Sequence, residues 1–352
     1  MADLEHILVV HPDSFSETVY DAFRELPYVG SVTVVQGIGY GGRSVAAREV
    51  TAEEWKRTTI LLTGSTLPPS PEAVPNLKLI QLYSAGSNTI VKDPFFNAES
   101  DIIYTTASGT HGPMISEYVI LMLMTFYHNS LQYPKWQEMK IWGDDKDFPR
   151  RSIDQYGRTM GIFGYGAIGR QTARIAKAMG MKIVAYSFSN PPRKERIEVA
   201  VPGSGDPDGS LPDVWIAGQE NMDKFFDTKM DVLLISAPLT PETTKVINRT
   251  TLQKLKGAYI INIGRGALVD TDDLIEAAES GLIDGAALDV TDPEPLPNGH
   301  KLYSAKNIFV TPHISGHMEA YEGRVVKICI HNIEQLRAGG SVANRLDKTK
   351  GY

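Results

Sequence analysis

Six residues, Gly164-Tyr165-Gly166-Ala167-Ile168-Gly169, limit what this chain can fold into more than any other segment. They follow the apolar run Thr159-Met160-Gly161-Ile162-Phe163 and open a helical pattern over Ala167–Met179. A G-x-G-x-x-G turn between a strand and a helix marks a dinucleotide-binding βαβ unit. Gly164 permits the tight turn, Gly166 lets the backbone approach a pyrophosphate, and Gly169 lets the helix pack on the strand. Ala167 and Ile168 then belong to the first helical turn, whose N–H groups and positive dipole end attract phosphate. An incidental glycine-rich turn is the bland alternative, and the flanking strand and helix argue against it.

The rest of the chain fits an α/β architecture. Strands are expected at His6–Val10, Ser31–Val35, Thr59–Thr63, Lys78–Tyr83 and Ile102–Thr106. A second series is expected at Thr159–Phe163, Lys182–Tyr186, Val232–Ser236, Tyr259–Ile263, Gly285–Asp289 and Ile308–Thr311. Helical patterns lie over Ser14–Glu25, Pro113–Tyr133, Ala167–Met179, Thr250–Leu255, Asp272–Ser280 and Met318–Leu336. Alternation of this kind predicts parallel sheets covered on both faces. The Gly, Pro, Asp and Ser content of Pro202–Pro212 reads as a surface loop.

The chain has 352 residues, enough for about two domains. Lys and Arg total 35 against 42 Asp and Glu, a formal charge of −7, which argues against a nucleic-acid partner. Cys329 is the single cysteine, so a disulfide framework or a cysteine-rich metal site is excluded. The apolar stretch Tyr118–Phe126 is too short to span a bilayer, which takes about 20 residues. The acidic first residues do not read as a signal peptide, and Lys350-Gly351-Tyr352 carries no targeting signal. No membrane partner and a cytoplasmic location are therefore expected.

The end of the second strand bears on which dinucleotide is taken. An Asp or Glu about 20 residues after the glycines would bond a ribose 2′-hydroxyl. Here Ser187 occupies that place, followed by Phe188, Ser189 and, after two prolines, Arg193 and Lys194. Ser187 and Ser189 could donate to a 2′-phosphate, and Arg193 or Lys194 could neutralise it. NADP(H) is thus expected over NAD(H). The alternative for Arg193, Lys194 and Arg196 is a solvated loop.

Three further segments end strands and carry charge: Asn262-Ile263-Gly264-Arg265-Gly266, Leu288–Pro297, and Thr311-Pro312-His313-Ile314. In an open α/β sheet, ligands bind beyond the carboxyl ends of the strands. With the glycine turn and in this order, these motifs resemble the D-isomer-specific 2-hydroxyacid dehydrogenase family, from the Ser84-Ala85-Gly86 turn to His313. The spacing is most similar to that of its NADPH-dependent glyoxylate/hydroxypyruvate reductases.

The resemblance implies two doubly wound domains, a flavodoxin-like substrate domain and a Rossmann dinucleotide domain, with a cleft between them. The substrate domain would be discontinuous, 1–112 and 316–352, and the dinucleotide domain would cover 113–315. Crossings near Ser108–Pro113 and Gly316 would act as hinges, and closure would exclude water. The implied reaction is reduction of a small 2-oxo acid to the D-2-hydroxy acid with NADPH.

Arg265 offers a planar fork for the carboxylate and the ketone oxygen. His313 would donate the proton, and Glu294 would hydrogen-bond the imidazole and stabilise its charged form. Backbone N–H groups of Ser84, Ala85 and Gly86 would meet the substrate carboxylate. Asp289 would lie near the nicotinamide and Pro238 near the adenosine, while Thr110 matches a cofactor-side position loosely. A homodimer is a further expectation of the family.

Other readings stay in view. Trp136 and Trp142 could line the substrate mouth, although such aromatics are more often core. His313 and His317 lack the H-E-x-x-H pattern and an acidic cluster, so no metal is expected. Formate dehydrogenases place Gln where this chain has Glu294, and a phosphoglycerate dehydrogenase should bring basic residues to Tyr83–Asn88. A non-enzymatic, corepressor-like dinucleotide sensor on the same fold is the alternative function. About 45 residues separate Ser187 from Val232, more than the family's usual short link, which adds an excursion beside the expected adenine end.

Overall fold

The computed structural model describes residues 4–12, 16–39, 44–87, 89–189 and 198–348. The chain divides into two compact units. One comprises Met1–Thr110, Val199–Pro202 and Glu319–Tyr352, and the other His111–Glu198 and Gly203–Met318.

The first unit is built on six strands: β1 (Glu5–His11), β2 (Val29–Ile38), β3 (Val45–Ala46), β4 (Ile60–Thr63), β5 (Leu79–Leu82) and β6 (Ile103–Thr105). Their spatial order is β3-β2-β1-β4-β5-β6. Without the two-residue antiparallel β3, this is the 2-1-3-4-5 order of a flavodoxin-like sheet. The strands Ile60–Thr63 and Leu79–Leu82 are buried at every residue, as a parallel sheet covered on both faces requires. The expected helix over Ser14–Glu25 is instead a 3₁₀ turn, Glu17–Tyr20, running into one helical turn, Asp21–Arg24; residues 13–15 lie outside the described residues.

The second unit holds β7 (Thr159–Phe163), β8 (Lys182–Ser187), β9 (Val214–Ala217), β10 (Val232–Ile235), β11 (Tyr259–Asn262), β12 (Gly285–Leu288) and β13 (Ile308–Val310). All neighbours are parallel, in the order β13-β12-β11-β10-β7-β8-β9. Read from β9, this is the Rossmann order 3-2-1-4-5-6 with a seventh strand added. Successive residues of each strand enter different cores. Leu233 and Ile235 pack on one face with Phe163, Ile260 and Leu288, whereas Val232 and Leu234 pack on the other with Ile162, Ile261 and Ala287. A two-residue period with both faces buried produces the unbroken apolar runs seen in the sequence.

Two expectations about this unit need correction. The helical pattern Pro113–Tyr133 is not one helix. The helix Gly112–Tyr127 ends before Asn129, which takes a left-handed φ of 55° and donates from Nδ2 to the Arg150 carbonyl. A 3₁₀ turn, Ser130–Gln132, and a second helix, Tyr133–Met139, follow. Asparagine tolerates αL because its short amide bonds locally, and that ends the first helix.

The stretch Pro202–Pro212 is also no simple surface loop. Asp206 is 3% exposed. Its carboxylate accepts the Tyr165 O–H at 2.8 Å and the backbone N–H groups of Ser210 and Leu211 at 3.0 and 3.1 Å. Its carbonyl accepts from the buried Arg170 guanidinium. Arg174 Nε donates to the Gly205 carbonyl at 2.6 Å. The turn-forming residues are polar because they satisfy buried partners, and they deliver the chain to β9, a strand visible in Val214-Trp215-Ile216 only in retrospect.

Candidate active site on the carboxyl rim of the seven-stranded sheet

The order in which strands are added to the seven-stranded sheet reverses between β7 and β10. The crevice beyond such a switch point is where these sheets bind ligands. The glycine turn occupies it. Gly164 has φ +105°, and a Cβ there would meet the backbone N of Ala237 at 2.6 Å. A Cβ on Gly169 would meet the Gly164 carbonyl oxygen at 2.6 Å and Ile162 Cγ2 at 2.9 Å. Gly166 differs: its φ is −88°, and nothing of the protein lies within 4 Å of where a Cβ would stand. Two glycines are therefore demanded by the fold. The third keeps open a cradle at the start of the helix Ala167–Ala178, as close approach of a pyrophosphate requires.

Ser187 closes β8, and its Oγ accepts a hydrogen bond from Trp215 Nε1 at 3.0 Å. Phe188 packs edge-on against Phe163 and Tyr186. Ser189 follows as an exposed residue, and Arg193 and Lys194 lie outside the described residues. Pro238 stands exposed just past β10, beside the Ala237 backbone that crowds Gly164, and its carbonyl accepts from Thr243 Oγ1.

Past β11 the turn carrying Arg265 is stapled by Asn262. Asn262 Nδ2 donates to the Arg265 carbonyl at 3.0 Å, and its Oδ1 accepts from Gly264 N at 3.1 Å. Both flanking glycines are forced by contacts. A Cβ on Gly264 would stand 2.9 Å from the Ala237 carbonyl oxygen, and one on Gly266 would fall on the Thr291 carbonyl. The Arg265 turn thus lies directly on the loop that carries Glu294. The Arg265 side chain is half-buried, and its Nη1 donates to the Gly264 carbonyl at 2.7 Å.

His313 follows β13 in a left-handed conformation, φ 55°, rare for a residue with a Cβ. That geometry costs of order 1–3 kcal/mol and needs surrounding structure to hold it. Asp289 supplies the hold. Its carbonyl accepts the His313 N–H at 2.9 Å. Its carboxylate, 1% exposed, accepts Thr311 Oγ1 at 2.7 Å and the N–H groups of Ile314 and Ser315 at 2.9 and 3.0 Å. Asp289 was expected beside the nicotinamide. In this structure both of its carboxylate oxygens hold the histidine loop.

Thr311 spends its one proton on Asp289, so Tyr118 must donate to Thr311 across their 2.7 Å contact. Burial pushes the Tyr118 hydroxyl up to about 12, which keeps that donor protonated. His313 Nδ1 lies 2.6 Å from Glu294 Oε1. A carboxylate only accepts, so Nδ1 carries the hydrogen and Nε2 is left for chemistry. Tyr118, Thr311, Asn262 and Asp206 were not singled out from sequence. Asn262 and Thr311 had a signal, since each opens one of the charged strand-end motifs.

In the first unit the turn Ser84-Ala85-Gly86 follows β5. Ser84 Oγ donates to the Gly86 carbonyl, and the Ser84 carbonyl accepts from Ala107 N at 2.9 Å. Tyr83, just before it, is fully buried, with its hydroxyl 2.6 Å from that of Tyr20 and its carbonyl accepting from the Tyr321 hydroxyl. The turn therefore starts from a rigid base. Asn88 lies outside the described residues.

Trp136 and Trp142 do not join a core. Trp136 is half-buried against Phe148 and Tyr133, and Trp142 is fully exposed. Among the described residues, no three His, Cys, Asp or Glu side chains group as metal ligands, and no helix is long and apolar enough to cross a membrane.

The family description "D-isomer specific 2-hydroxyacid dehydrogenase, NAD binding domain" matches residues 120–206 and 213–315. The chain belongs to this family. It is an oxidoreductase of the 2-hydroxyacid dehydrogenase type, acting on a CH–OH group. It is 28% identical over 331 residues to a hydroxypyruvate reductase of Blautia hydrogenotrophica, spanning 90% of this chain and 94% of that protein. It is 30% identical over 283 residues to a glyoxylate reductase of Thermofilum pendens, spanning 79% and 77%.

Among solved structures, it is similar in fold to a D-isomer specific 2-hydroxyacid dehydrogenase of Xanthobacter autotrophicus Py2 in complex with NADPH and MES. The TM-score is 0.73 at 23% identity, and all of both chains is covered. It is similar too to an NADPH-dependent glyoxylate/hydroxypyruvate reductase of Sinorhizobium meliloti, with TM-score 0.71, 22% identity, and coverage of 99% of this chain and 100% of that one.

Proposed function

We propose that this dehydrogenase reduces a small 2-oxo acid to the D-2-hydroxy acid, with NADPH as its preferred cofactor. The observation that carries the reading is the 2.6 Å His313–Glu294 pair, held on the same sheet rim as the Arg265 turn. Bound NADPH would supply a hydride to C2 of the substrate. Gly164, Gly166, Gly169 and the first helical residues Ala167 and Ile168 would hold its pyrophosphate, and Ser187 and Ser189 its ribose end.

The rest falls to side chains of the chain. Arg265 pairs with the substrate carboxylate and polarises the ketone. As the ketone carbon is reduced, negative charge grows on its oxygen, and Nε2 of the His313 imidazolium gives up its proton there. Glu294 fixes the ring and balances its charge while it is protonated. The small residues Ser84, Ala85 and Gly86 offer backbone N–H groups to the anionic substrate. In the reverse direction His313 Nε2 takes the hydroxyl proton.

NADPH is favoured because β8 ends in Ser187, where a carboxylate would repel a 2′-phosphate. Glyoxylate and hydroxypyruvate fit three charged groups around a short chain, and the named relatives act on this substrate class. A homodimer is supported by the exposed apolar side chains Leu121, Leu131, Met139, Ile141 and Trp142 on the dinucleotide unit. Light scattering on the purified protein checks it. Nothing in the site favours the alternative of a non-enzymatic sensor, which has no need of an acid/base pair.

The test is an initial-rate panel of 2-oxo acids, each with NADPH and with NADH, for the wild type and His313→Ala. Turnover should be faster with NADPH and fall about 10²- to 10⁴-fold in the variant. Equal or faster rates with NADH would overturn the cofactor preference, and full activity of His313→Ala would overturn the mechanism.

A further inference from the structure

The excursion between β8 and β9 is longer than a connection between neighbouring strands needs, yet among its described residues Gly205 and Asp206 bond to the glycine-turn helix and to Tyr165. Its strand β9 pairs with β8 so that Trp215 lies opposite Ala185 and Ala217 opposite Ser187. Side chains two apart along a strand share a face. The Trp215 indole therefore lies on the Ser187 side of the sheet, one pair back, within reach of the serine. Its Nε1–H donates to Ser187 Oγ at 3.0 Å.

The indole is itself held in place. Its ring packs edge-on against Tyr165, with centroids 4.9 Å apart, and the Arg170 guanidinium lies 5.2 Å from the Tyr165 ring and 5.5 Å from the Trp215 ring. Tyr165 is the second residue of the glycine turn, and its hydroxyl is fixed on Asp206 of the excursion. Burial, and then this bond, raise the Tyr165 hydroxyl far above the ordinary tyrosine range, so it remains a donor. One network thus runs from Asp206 through the phosphate-binding turn and Trp215 to Ser187.

We propose that Trp215 is a positioning residue for cofactor selectivity, orienting the Ser187 hydroxyl as a donor toward the 2′-phosphate of NADPH. This rests on the cofactor reading above. A serine hydroxyl has one proton and two lone pairs. When the indole N–H takes one lone pair, the O–H points away from Trp215. Accepting a hydrogen bond also polarises the hydroxyl and makes it a better donor. A phosphate dianion offers only acceptors and gains fully from this arrangement. A ribose 2′-hydroxyl can donate as well as accept, so it depends less on the orientation. The excursion would then build selectivity from a neutral pair at the place where the common acidic residue is absent.

The test uses calorimetry with 2′,5′-ADP and 5′-AMP, which differ only in the 2′-phosphate. Wild type should bind 2′,5′-ADP more tightly. Trp215→Phe, which keeps an aromatic ring on Tyr165 but loses the N–H, should weaken 2′,5′-ADP about five- to tenfold and 5′-AMP less than about twofold. In a Ser187→Ala background the same substitution should change neither. Equal loss for both nucleotides, or a loss that persists without Ser187, would overturn the proposal while leaving the cofactor reading intact. No preference in the wild type would overturn the cofactor reading, and this inference with it.

Should Trp215→Phe not fold, the wild type still decides. With ¹⁵N-labelled tryptophan, and Trp55, Trp136 and Trp142 replaced one at a time for assignment, the Trp215 indole resonance should shift with 2′,5′-ADP and stay put with 5′-AMP. An indole unmoved by 2′,5′-ADP overturns the proposal.

Discussion

Two turns on one sheet rim are built around glycines, and they need them for different reasons. At Gly264-Arg265-Gly266 both glycines are forced by the protein, because a Cβ would strike the Ala237 or the Thr291 carbonyl. At Gly164-Tyr165-Gly166 the first is forced in the same way, but the second faces open space with an ordinary φ. Gly166 is thus not demanded by the packing around it. Close packing fixes the Arg265 turn, while Gly166 leaves open space at the start of its helix, which under the proposed function is where the pyrophosphate would lie.

That contrast can be broken by substitution. The largest effect should come from Gly266→Ala, where the methyl would overlap backbone that cannot swing aside. A loss of about 3 kcal/mol or more is expected, read as a large fall in melting temperature or loss of soluble protein. Asp206→Ala should follow, at about 2–3 kcal/mol, since it strands the buried Tyr165 hydroxyl and takes the acceptor from the part-buried N–H groups of Ser210 and Leu211. Chemical denaturation measures it, and a neutral result would mean that the excursion does not brace the glycine turn.

Gly169→Ala should cost about 1–3 kcal/mol, because both the Gly164 carbonyl and Ile162 would have to give. The smallest stability change should belong to Gly166→Ala, unaltered or better by up to about 1 kcal/mol. Its dinucleotide affinity should nonetheless fall at least tenfold, about 1.4 kcal/mol, by calorimetry. A Gly166→Ala protein that binds normally would erase the distinction between the two turns.

Much of the fold could be read in the linear chain because parallel strands with both faces buried are short unbroken apolar runs. Eleven such runs stand where expected, within a residue or two for most and about three at the longest, β2. The two strands that escaped notice are short, and Val214–Ala217 sits inside a segment whose glycines and aspartates read as loop. The break after Tyr127 was hidden because Asn129 interrupts a helix through its backbone conformation, which no periodicity records. Arg265, Glu294 and His313 could be named because ordered motifs place them after successive strands. The roles of Asp289 and Thr311 could not, since a carboxylate that anchors a loop reads the same in sequence as one that faces a ligand.

The sequence by itself determined two α/β units, a glycine turn at a strand–helix junction, and three charged groups delivered to strand ends. These follow from local rules: strand period, helix start and turn chemistry act over a few residues. Only the tertiary structure decided that His313 is held left-handed by Asp289, that Asp206 reaches 41 residues back to Tyr165, and that Trp215 donates to Ser187. Those contacts depend on which strands become neighbours and in what register, and that is settled by packing of the whole sheet rather than by any segment of it.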